Sequence, residues 1–509
     1  MPFSASDARD NLVSVGTVDH RSARLWFRAE RPGRYLVSVR AAELVPHGQA
    51  IVDIAPGNPT DNTAVVTYPD QAPGAPPLLS LHRYTFRVAS DDGTRVVGEG
   101  AFETAPATSD ATPPIFTVGL VSCHQPFDKD GVLAPDSMRL CQQLFATFAA
   151  ADTKFLLTVG DQMYGDEPAS VSLLNPAYTS RWGRGPIQEW TPQQIREAYQ
   201  ERYRICWNQT PWLKLLSGLP NYAMLDDHEV FDDWGSRSEH TQGPAAKIIG
   251  AARLAYLDYQ GSRQLPWGPD ATAPAALDYA FRYGTLATFA FDIRSERWVG
   301  PPSRVISLEQ LARFRAFLAA NGDAHVVFVV TSVPFVHLPE WVTARGEQIF
   351  GTDVDFPDHW SAERNRADRA ALLDVIDAHL TAHPKQRLVV LGGDVHVGCA
   401  FTLHFVGDRK PLFYELTSSS VTNKLGCVQA TLTPVGPLAF ESWPTLADGR
   451  LKATLLPAAA GAPAQNPTGG LNAGLIELRR NGDETNVRLK LLGVGEGAHA
   501  REEYVSGWL

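Results

Sequence analysis

Short segments of alternating apolar and polar residues fill the first part of the chain. Five stand out, LVSVGTV, SARLWFRA, YLVSVRA, AVVTY and RYTFRVAS, and turn-forming sequences such as RPGR and DDGT separate them. Strands of this length and spacing, without helical periodicity between them, predict a small antiparallel β-sandwich over residues 1–104. Residues 105–114, APATSDATPP, are rich in proline, alanine, serine and threonine and predict a linker.

From residue 115 to residue 509 the pattern changes to nearly continuous apolar runs that alternate with amphipathic segments. The runs predict strands in PIFTVGLVSC, KFLLTVGD, YAMLDD, AHVVFVVTSV and RLVVLGGDVH. The amphipathic segments predict helices in RLCQQLFATFAA, TPQQIREAYQERYRI, SLEQLARFRAFLAANG and SAERNRADRAALLDVIDAHL. This alternation is typical of an α/β domain whose strands are buried on both faces. The later segments GLIELRR and NVRLKLLGV alternate more and predict antiparallel edge strands.

Composition narrows the functional classes. The chain has 509 residues, 44% of them hydrophobic and 20% charged, which is typical of a globular protein with a large domain and at least one smaller one. A net charge of −11 argues against a specific nucleic-acid partner, because such proteins use basic surfaces to neutralise phosphates. No apolar run is long enough to cross a bilayer, so we expect no transmembrane segment.

The cysteines and the amino terminus bear on the compartment. Five cysteines lie far apart without a CxxC pair, which argues against a disulfide scaffold and against a zinc finger. The first residues, MPFSASDARD, lack the basic and apolar regions of an export signal. We therefore expect a cytoplasmic protein, or a periplasmic or secreted one whose leader has been removed.

Four predicted strand ends carry side chains that suit a metal ion. They are VSCHQ, VGDQMYGDE, LDDHEVFDDWG and LGGDVHVG. Ligands gather beyond the carboxyl ends of strands in α/β sheets, so these four loops can converge. The third stretch places four aspartates, one glutamate and one histidine in eleven positions, and a bound cation would offset that concentration of negative charge.

The donor types fall into two sets. A thiolate, a phenolate, an imidazole and a carboxylate suit Fe(III), or otherwise zinc, and are offered by Cys123, Tyr164, His396 and Asp161. Oxygen donors suit calcium, magnesium or manganese and are offered by Asp227 and Asp394, with Asp161 able to bridge. Two such metals would clamp a phosphoryl group, and His228 can protonate the leaving alkoxide. Each residue alone also fits an ordinary buried, turn or capping role, but the four strand ends together favour a metal site.

These motifs resemble the PhoD-type alkaline phosphatases and phosphodiesterases, a branch of the calcineurin-like metallophosphoesterases. The resemblance rests on SCHQP, GDQMYGDE, LDDHEV and LGGDVH, with weaker echoes in FDIRSER, DHWSAERNR and ELTSSSVTN. SARLWFRAERPGRYLV is similar to the fibronectin-like module that precedes the catalytic domain in this family. The resemblance implies a fibronectin III-like or immunoglobulin-like domain over 1–104. It also implies that residues 115–509 form a metallophosphoesterase sandwich of two mixed β-sheets flanked by helices.

The resemblance also implies functional residues. Iron would be held by Cys123, Asp161, Tyr164 and His396, and one or more calcium ions by Asp161, Asp227 and Asp394. His228 would be the general acid. Many members have asparagines after the DDHEV block, whereas this chain has FDDWG, so Asp232 and Asp233 either replace them as ligands or only cap a helix. Asp226, in the DDHE block itself, is a further candidate ligand.

Arg294 would be a candidate phosphate clamp, because a guanidinium matches two phosphate oxygens at once. A structural salt bridge with Asp292 or Glu296 is the alternative role. The family is typically exported through a twin-arginine leader, which this sequence lacks.

Three hypotheses remain open. The leading one is a phosphoester hydrolase acting on a small-molecule phosphoester, either a monoester or a diester such as a phospholipid. Arginines near the metals would favour monoesters, and tryptophan walls would favour diesters; the candidates are Arg294, Arg297 and Arg237, and Trp182, Trp234 and Trp298. The second is a catalytically inert, metal-stabilised binding or adhesion protein, although a structural calcium site would need no proton donor such as His228. The third is a zinc-only hydrolase, in which a tyrosinate ligand would be less usual.

Overall fold

The amino-terminal region is all-β. The computed structural model of the protein describes residues 8–41, 45–350, 358–407, 412–423, 434–446 and 449–509. The first seven strands are β1 (Leu12–Val18), β2 (Ala23–Arg28), β3 (Gly33–Ala41), β4 (Pro46–Ile54), β5 (Thr63–Tyr68), β6 (Arg83–Ser90) and β7 (Val96–Glu103). They form two antiparallel sheets, ordered β1-β2-β5 and β4-β3-β6-β7. Side chains of both sheets share one apolar core, in which Leu25 and Val37 are fully buried.

The rest of the chain builds two larger mixed sheets. The first contains β8 (Ile115–Val121), β9 (Thr153–Val159), β10 (Asn221–Met224), β19 (Asn472–Asn481), β20 (Glu484–Gly493) and β21 (Arg501–Val505). The second contains β11 (Tyr279–Tyr283), β12 (Leu286–Ala290), β13 (Val326–Val330), β14 (Arg387–Gly392), β15 (Cys399–Phe405), β16 (Leu412–Thr417), β17 (Thr445–Leu446) and β18 (Leu451–Leu455). Their orders are β10-β9-β8-β19-β20-β21 and β11-β12-β13-β14-β16-β15-β18-β17.

Each large sheet is partly parallel and partly antiparallel. In the six-stranded sheet β8, β9 and β10 run parallel, and β19 to β21 are antiparallel. In the eight-stranded sheet β12, β13, β14 and β16 run parallel. One apolar cluster takes side chains from both sheets, including Leu120 and Phe328, so the two sheets pack face to face.

Helices cover the outer faces of the two sheets. They are α1 (Arg139–Ala150), α2 (Pro176–Thr179), α3 (Pro192–Cys206), α4 (Thr210–Gly218), α5 (Gly243–Tyr259), α6 (Leu308–Ala320), α7 (Glu340–Phe350), α8 (Arg366–Ala382) and α9 (Val435–Ala439). One cluster joins the six-stranded sheet to α1, α3, α4 and α5, and another joins the eight-stranded sheet to α6 and α8. The predicted mixed α/β fold with several sheets is therefore confirmed.

The all-β region packs directly on the helical layer. Trp26 of β2 is 1% exposed, and its indole Nε1 donates a hydrogen bond to the Asp258 carbonyl at 2.8 Å. Its ring centroid lies 6.1 Å from that of Trp207 and 5.6 Å from that of Tyr259. The boundaries 1–104, 105–114 and 115–509 stay a prediction about domain organisation.

Candidate metal centre

The carboxyl ends of four parallel strands bring the predicted site residues together. Cys123 follows β8, Asp161 follows β9 and Asp227 follows β10, three neighbouring strands of the six-stranded sheet. Asp394 and His396 follow β14 of the eight-stranded sheet. Because the two sheets face each other, their strand ends meet at one edge of the molecule.

Aspartates form the centre of the site. One carboxylate oxygen from each of Asp161, Asp226, Asp227 and Asp394 lies within 4.8 Å of the other three. Two further groups satisfy the same limit, the first being Asp161, Asp227 and His228 and the second Asp227, Asp232 and Asp233. Asp161 and Asp227 therefore occupy positions from which one carboxylate could bridge two cations.

The mixed-donor set lies against Asp161. The Cys123 Sγ is 3.3 Å from Asp161 Oδ2, and the Tyr164 hydroxyl is 3.4 Å from the same oxygen. The hydroxyl is also 3.5 Å from His396 Nε2. These four residues thus offer the sulfur, phenolate, imidazole and carboxylate donors that the sequence predicted. Asn423 was not predicted, and its side-chain Nδ2 lies 3.2 Å from the same His396 nitrogen.

Backbone strain is concentrated in these loops. The φ angles of Cys123, Asp161, Asp394 and His396 are 57°, 56°, 62° and 53°, all in the left-handed region that non-glycine residues rarely adopt. Such conformations cost about 1–3 kcal/mol each and persist only where the surroundings hold them. Their concentration at the predicted ligands is typical of a functional site.

Gly160 allows the β9 and β10 loops to approach closely. Its φ is +80°, and a Cβ placed on it would lie 2.4 Å from the Cβ of Asp226. A larger residue here would therefore meet both backbone strain and a collision. The motif Gly-Asp at 160–161 thus has a steric reason as well as a chemical one.

The charges of the donors fit bound cations. Among the described residues, the buried atoms Asp161 Oδ1 and Asp226 Oδ2 accept no hydrogen bond. Burial and the nearby carboxylates raise the pKa of Asp161 well above its ordinary value, and burial raises that of Asp226 to about 6. Burial likewise raises the pKa of the Cys123 thiol and the Tyr164 phenol. A cation would supply the missing partner and reverse these shifts.

His396 is suited to bind a metal because it is held neutral. Burial, and to a lesser degree the charge of His228, lowers its pKa to about 3. The backbone N–H of His396 donates to Ser419 Oγ at 3.1 Å, and Ser419 Oγ also lies 3.2 Å from the Asp394 carbonyl. Ser419 therefore links the two predicted ligands of the β14 loop.

His228 lies at the edge of the acidic cluster in a specific orientation. Its Nδ1 is 2.8 Å from Asp166 Oδ1, and its ring stacks on that of Tyr164 with centroids 4.1 Å apart. Burial alone lowers its pKa, but the charges of Asp166, Asp227 and Asp161 outweigh burial and raise the pKa well above its ordinary value. The structure therefore places the His228 ring, with a carboxylate partner at Nδ1, beside the candidate metal ligands.

Arg294 lies behind the aspartates rather than at an open surface. Its side chain is 0% exposed, its Nε is 2.5 Å from Asp226 Oδ1, and its Nη1 is 2.8 Å from Asp358 Oδ1. Its Nη2 is 3.5 Å from Asp227 Oδ1. The ion-pair partners of Arg294 are thus Asp226, Asp227 and Asp358, and its backbone N–H binds Asp292 Oδ1 at 3.0 Å. Its role as a phosphate clamp stays a prediction.

The other predicted residues occupy the rim or the surrounding shell. Asp232 is exposed, and its backbone N–H donates to Asp166 Oδ2 at 2.8 Å. Asp233 is buried, has a φ of 60°, and pairs with Arg237 at 3.5 Å. Arg297 donates to the Asp358 carbonyl at 3.1 Å.

The predicted tryptophans lie in different surroundings. Trp234 is 4% exposed and Trp298 is 57% exposed. Trp182 belongs to an aromatic group with Tyr178 and Trp190.

Besides Asn423, sequence reasoning gave no role to three residues that the structure brings into the site. Asp166 and Glu229 were part of the quoted motifs GDQMYGDE and LDDHEV, so their position in those motifs was the available signal. Ser419 was part of the weaker motif ELTSSSVTN. Each acts through hydrogen bonds across loops, which sequence spacing does not reveal.

Buried acids and mixed donors at the carboxyl ends of parallel strands define a candidate metallohydrolase. The chain belongs to the PhoD-like phosphatase family, whose sequence profile matches residues 119–436. It is therefore a phosphoric ester hydrolase, as the motifs predicted. No helix among the described residues is long and apolar enough to span a membrane.

Solved structures bear on the fold. The structure of PhoD aligns with a TM-score of 0.67 at 16% identity, covering 99% of this chain and 90% of that chain. A redesigned β-sandwich protein aligns with a TM-score of only 0.14 at 14% identity, covering 18% of this chain and 86% of that chain, which is too low to indicate a common fold. The β-glucuronidase of Ruminococcus gnavus aligns with a TM-score of 0.24 at 9% identity, covering 76% of this chain and 54% of that chain, which is also too low. A comparison with curated protein sequences gave no match.

Proposed function

We propose that the protein is a metal-dependent phosphodiesterase whose centre is formed by the four strand-end loops. The observation that carries the proposal is the meeting of a cysteine, a tyrosine, a histidine and several aspartates around Asp161, with buried carboxylate oxygens that lack a protein partner among the described residues. Iron would be held by Cys123, Asp161, Tyr164 and His396, and calcium by Asp161, Asp227 and Asp394. Zinc, manganese and magnesium are the alternative metals.

Bound metals would polarise the phosphoryl oxygens and lower the pKa of an attacking water. His228 holds a proton through its pairing with Asp166 and would donate it to the leaving alkoxide. Arg294 supports this arrangement most directly by binding Asp226 and Asp227 from behind, because its guanidinium is buried among carboxylates. Contact with a phosphoryl oxygen would require Nη2 to turn from Asp227.

The preference for diesters is supported by the state of the nearby arginines. A phosphomonoester dianion needs more positive charge around its oxygens than a diester monoanion. Arg294, Arg297 and Arg237 are each engaged with an aspartate, namely Asp226, Asp358 and Asp233. Their positive charge is therefore largely balanced within the protein.

The test compares initial rates with bis(p-nitrophenyl) phosphate and p-nitrophenyl phosphate after chelation and after addition of iron with calcium, zinc or manganese. We expect metal-dependent turnover with the diester favoured. Faster turnover of the monoester would contradict the diester preference alone. Turnover of neither ester, with metal bound, would contradict the proposed phosphodiesterase activity.

A further inference from the structure

We propose that Glu229 is a positioning residue that joins the loops carrying Asp161 and Asp227 and thereby sets the metal affinity of the centre. This inference rests on the proposed function. Glu229 is fully buried and follows His228 at the end of the DDHE block. Its role is separate from metal ligation, because no candidate ligand group among the described residues includes it.

Four N–H donors surround the Glu229 carboxylate. Oε2 accepts the backbone N–H of Asp161 at 3.0 Å and that of Asp226 at 2.9 Å. Oε1 accepts the backbone N–H of Gln162 at 2.6 Å and the side-chain Nε2 of Gln260 at 2.9 Å. An ionised carboxylate has about four acceptor sites, so these bonds use its whole capacity.

The contacts tie together segments that are distant in sequence. Asp161 and Gln162 belong to the β9 loop, Asp226 begins the β10 loop, and Gln260 follows α5. The β9 and β10 loops also touch at Gly160 and Asp226, where no room exists for a Cβ. Glu229 thus binds backbone N–H groups in both loops, those of Asp161 and Gln162 in the β9 loop and that of Asp226 in the β10 loop.

Holding these peptide groups in place should raise the affinity of the centre for metal ions. Asp161 is held at a φ of 56°, and the bond from its N–H to Glu229 helps to maintain that conformation. Hydrogen-bond partners behind metal ligands orient the ligands, and their loss typically lowers metal affinity by about 10–100-fold. Glu229 binds the backbone N–H of Asp161 and that of Asp226, which precedes Asp227, so its loss should misplace Asp161 and Asp227 together.

The experiment uses the full chain after chelator treatment and measures Mn²⁺ affinity and stoichiometry by calorimetric titration. Glu229→Gln keeps the side-chain volume but turns an amide N–H₂ toward N–H donors. We expect its Mn²⁺ affinity to fall by about 10–100-fold. Asp368→Asn is the matched control, because Asp368 is also buried and accepts two backbone N–H groups, from Val305 at 2.6 Å and Ile306 at 3.0 Å. The control should lower the melting temperature and leave Mn²⁺ affinity unchanged.

A folded Glu229→Gln protein that binds Mn²⁺ with wild-type affinity would overturn the proposal, even if it melts at a lower temperature. If that variant fails to fold, Gln260→Met removes one of the four donors and provides the second test. Weaker Mn²⁺ binding by Gln260→Met supports the proposal, and unchanged binding overturns it. Because the readout is affinity, an enzyme inactive on both nitrophenyl esters would refute the proposed function without deciding the role of Glu229.

Discussion

His228 Nδ1 lies 2.8 Å from Asp166 Oδ1, and the second oxygen of Asp166 accepts the backbone N–H of Asp232 at 2.8 Å. One carboxylate thus fixes the orientation of the ring and the position of the following loop. Because Nδ1 pairs with Asp166, Nε2 is the ring nitrogen that can protonate a leaving group. Two predictions follow from this geometry.

Asp166→Asn should reduce turnover of phosphodiesters while leaving the metal content unchanged. The amide cannot stabilise a protonated ring as a carboxylate does, so the pKa of His228 should fall and the alkaline limb of the pH–rate profile should move to lower pH. We expect a loss of about 100-fold at neutral pH. Steady-state rates over pH and elemental analysis check this outcome. An unchanged pH profile would show that Asp166 does not control the proton of His228.

Replacing His228 by alanine should reveal the role of the proton through the leaving group. A general acid matters most when the departing oxygen is strongly basic, and it contributes about 10²–10⁴-fold in such cases. The loss should therefore be larger for phenyl esters than for p-nitrophenyl esters of the same phosphate. Equal losses for both esters, with metal retained, would contradict proton donation by His228.

Without the metals, the contribution of the central carboxylates to stability should fall as pH rises. Burial raises the pKa of Asp226 to about 6 in the metal-free fold, above its ordinary value of 3.8, and burial with the nearby carboxylates also raises the pKa of Asp161. These carboxyls bind protons more tightly in the folded than in the unfolded chain, so their contribution to the free energy of unfolding decreases from about pH 4 to about pH 6. Buried His396, whose pKa is lowered to about 3, contributes in the opposite direction.

Urea denaturation in the presence of a chelator, at intervals across that range, measures the slope. Asp226→Asn should make it shallower. Added Mn²⁺ should raise stability most at the upper end of the range, because ligands must be deprotonated to bind. An Asp226→Asn protein with the same pH dependence of stability as the wild type would contradict the assignment.

Gly160→Ala should destabilise the protein more than an equivalent change elsewhere. The left-handed conformation alone costs about 1–2 kcal/mol for an L-residue. Overpacking against Asp226 adds about 1–3 kcal/mol. Gly183→Ala is the control, since Gly183 also has a left-handed φ of +66° but has nothing within 4 Å of the added Cβ. Thermal or urea unfolding compares the two variants. Equal losses of stability would show that the contact between residue 160 and Asp226 adds nothing to the cost of the left-handed conformation.

Tyr164→Phe should change the visible spectrum if iron fills the mixed-donor set. A tyrosinate bound to Fe(III) absorbs visible light, and phenylalanine cannot provide that ligand. We expect an iron-loaded wild-type protein to be coloured and the variant to lose that band while keeping Cys123 and His396. A colourless wild-type protein that contains only zinc would support the zinc-only alternative.

Much of the fold could be predicted because the hydrophobic pattern matched the local structure. The segments LVSVGTV and RLVVLGGDVH correspond to β1 and β14, and the Thr-Pro start of α3 is a full capping box between Thr191 and Gln194. At the start of α6, the Ser307 side chain accepts the backbone N–H of Gln310, and the Gln310 side chain binds the backbone of Asp292.

Elements without a clear pattern were not predicted. β4 begins with Pro-His-Gly and β7 contains two glycines, so both have weak strand propensity. α5 contacts the core with many small residues and shows no single apolar stripe. Tertiary packing, which the sequence pattern does not report, stabilises these elements.

The candidate site was predictable as residue types but not as contacts. Strand-end position and donor chemistry were enough to select Cys123, Asp161 and Asp394. The surroundings of Arg294 were not predictable, because its partners Asp226 and Asp358 come from loops far apart in sequence. The sequence was thus sufficient to select candidate ligand side chains, but not to identify the groups that form hydrogen bonds with them.

The packing of Trp26 between Trp207 and Tyr259 has a practical consequence for handling the protein. Cleavage in the stretch 105–114 would not release two independent pieces, since the indole and its bond to the Asp258 carbonyl would still connect them. A fragment lacking the first strands would instead expose Trp207 and Tyr259 to water, and we expect it to aggregate. A chain cleaved in this stretch should therefore elute as a single species in native gel filtration and separate into two fragments only in denaturant.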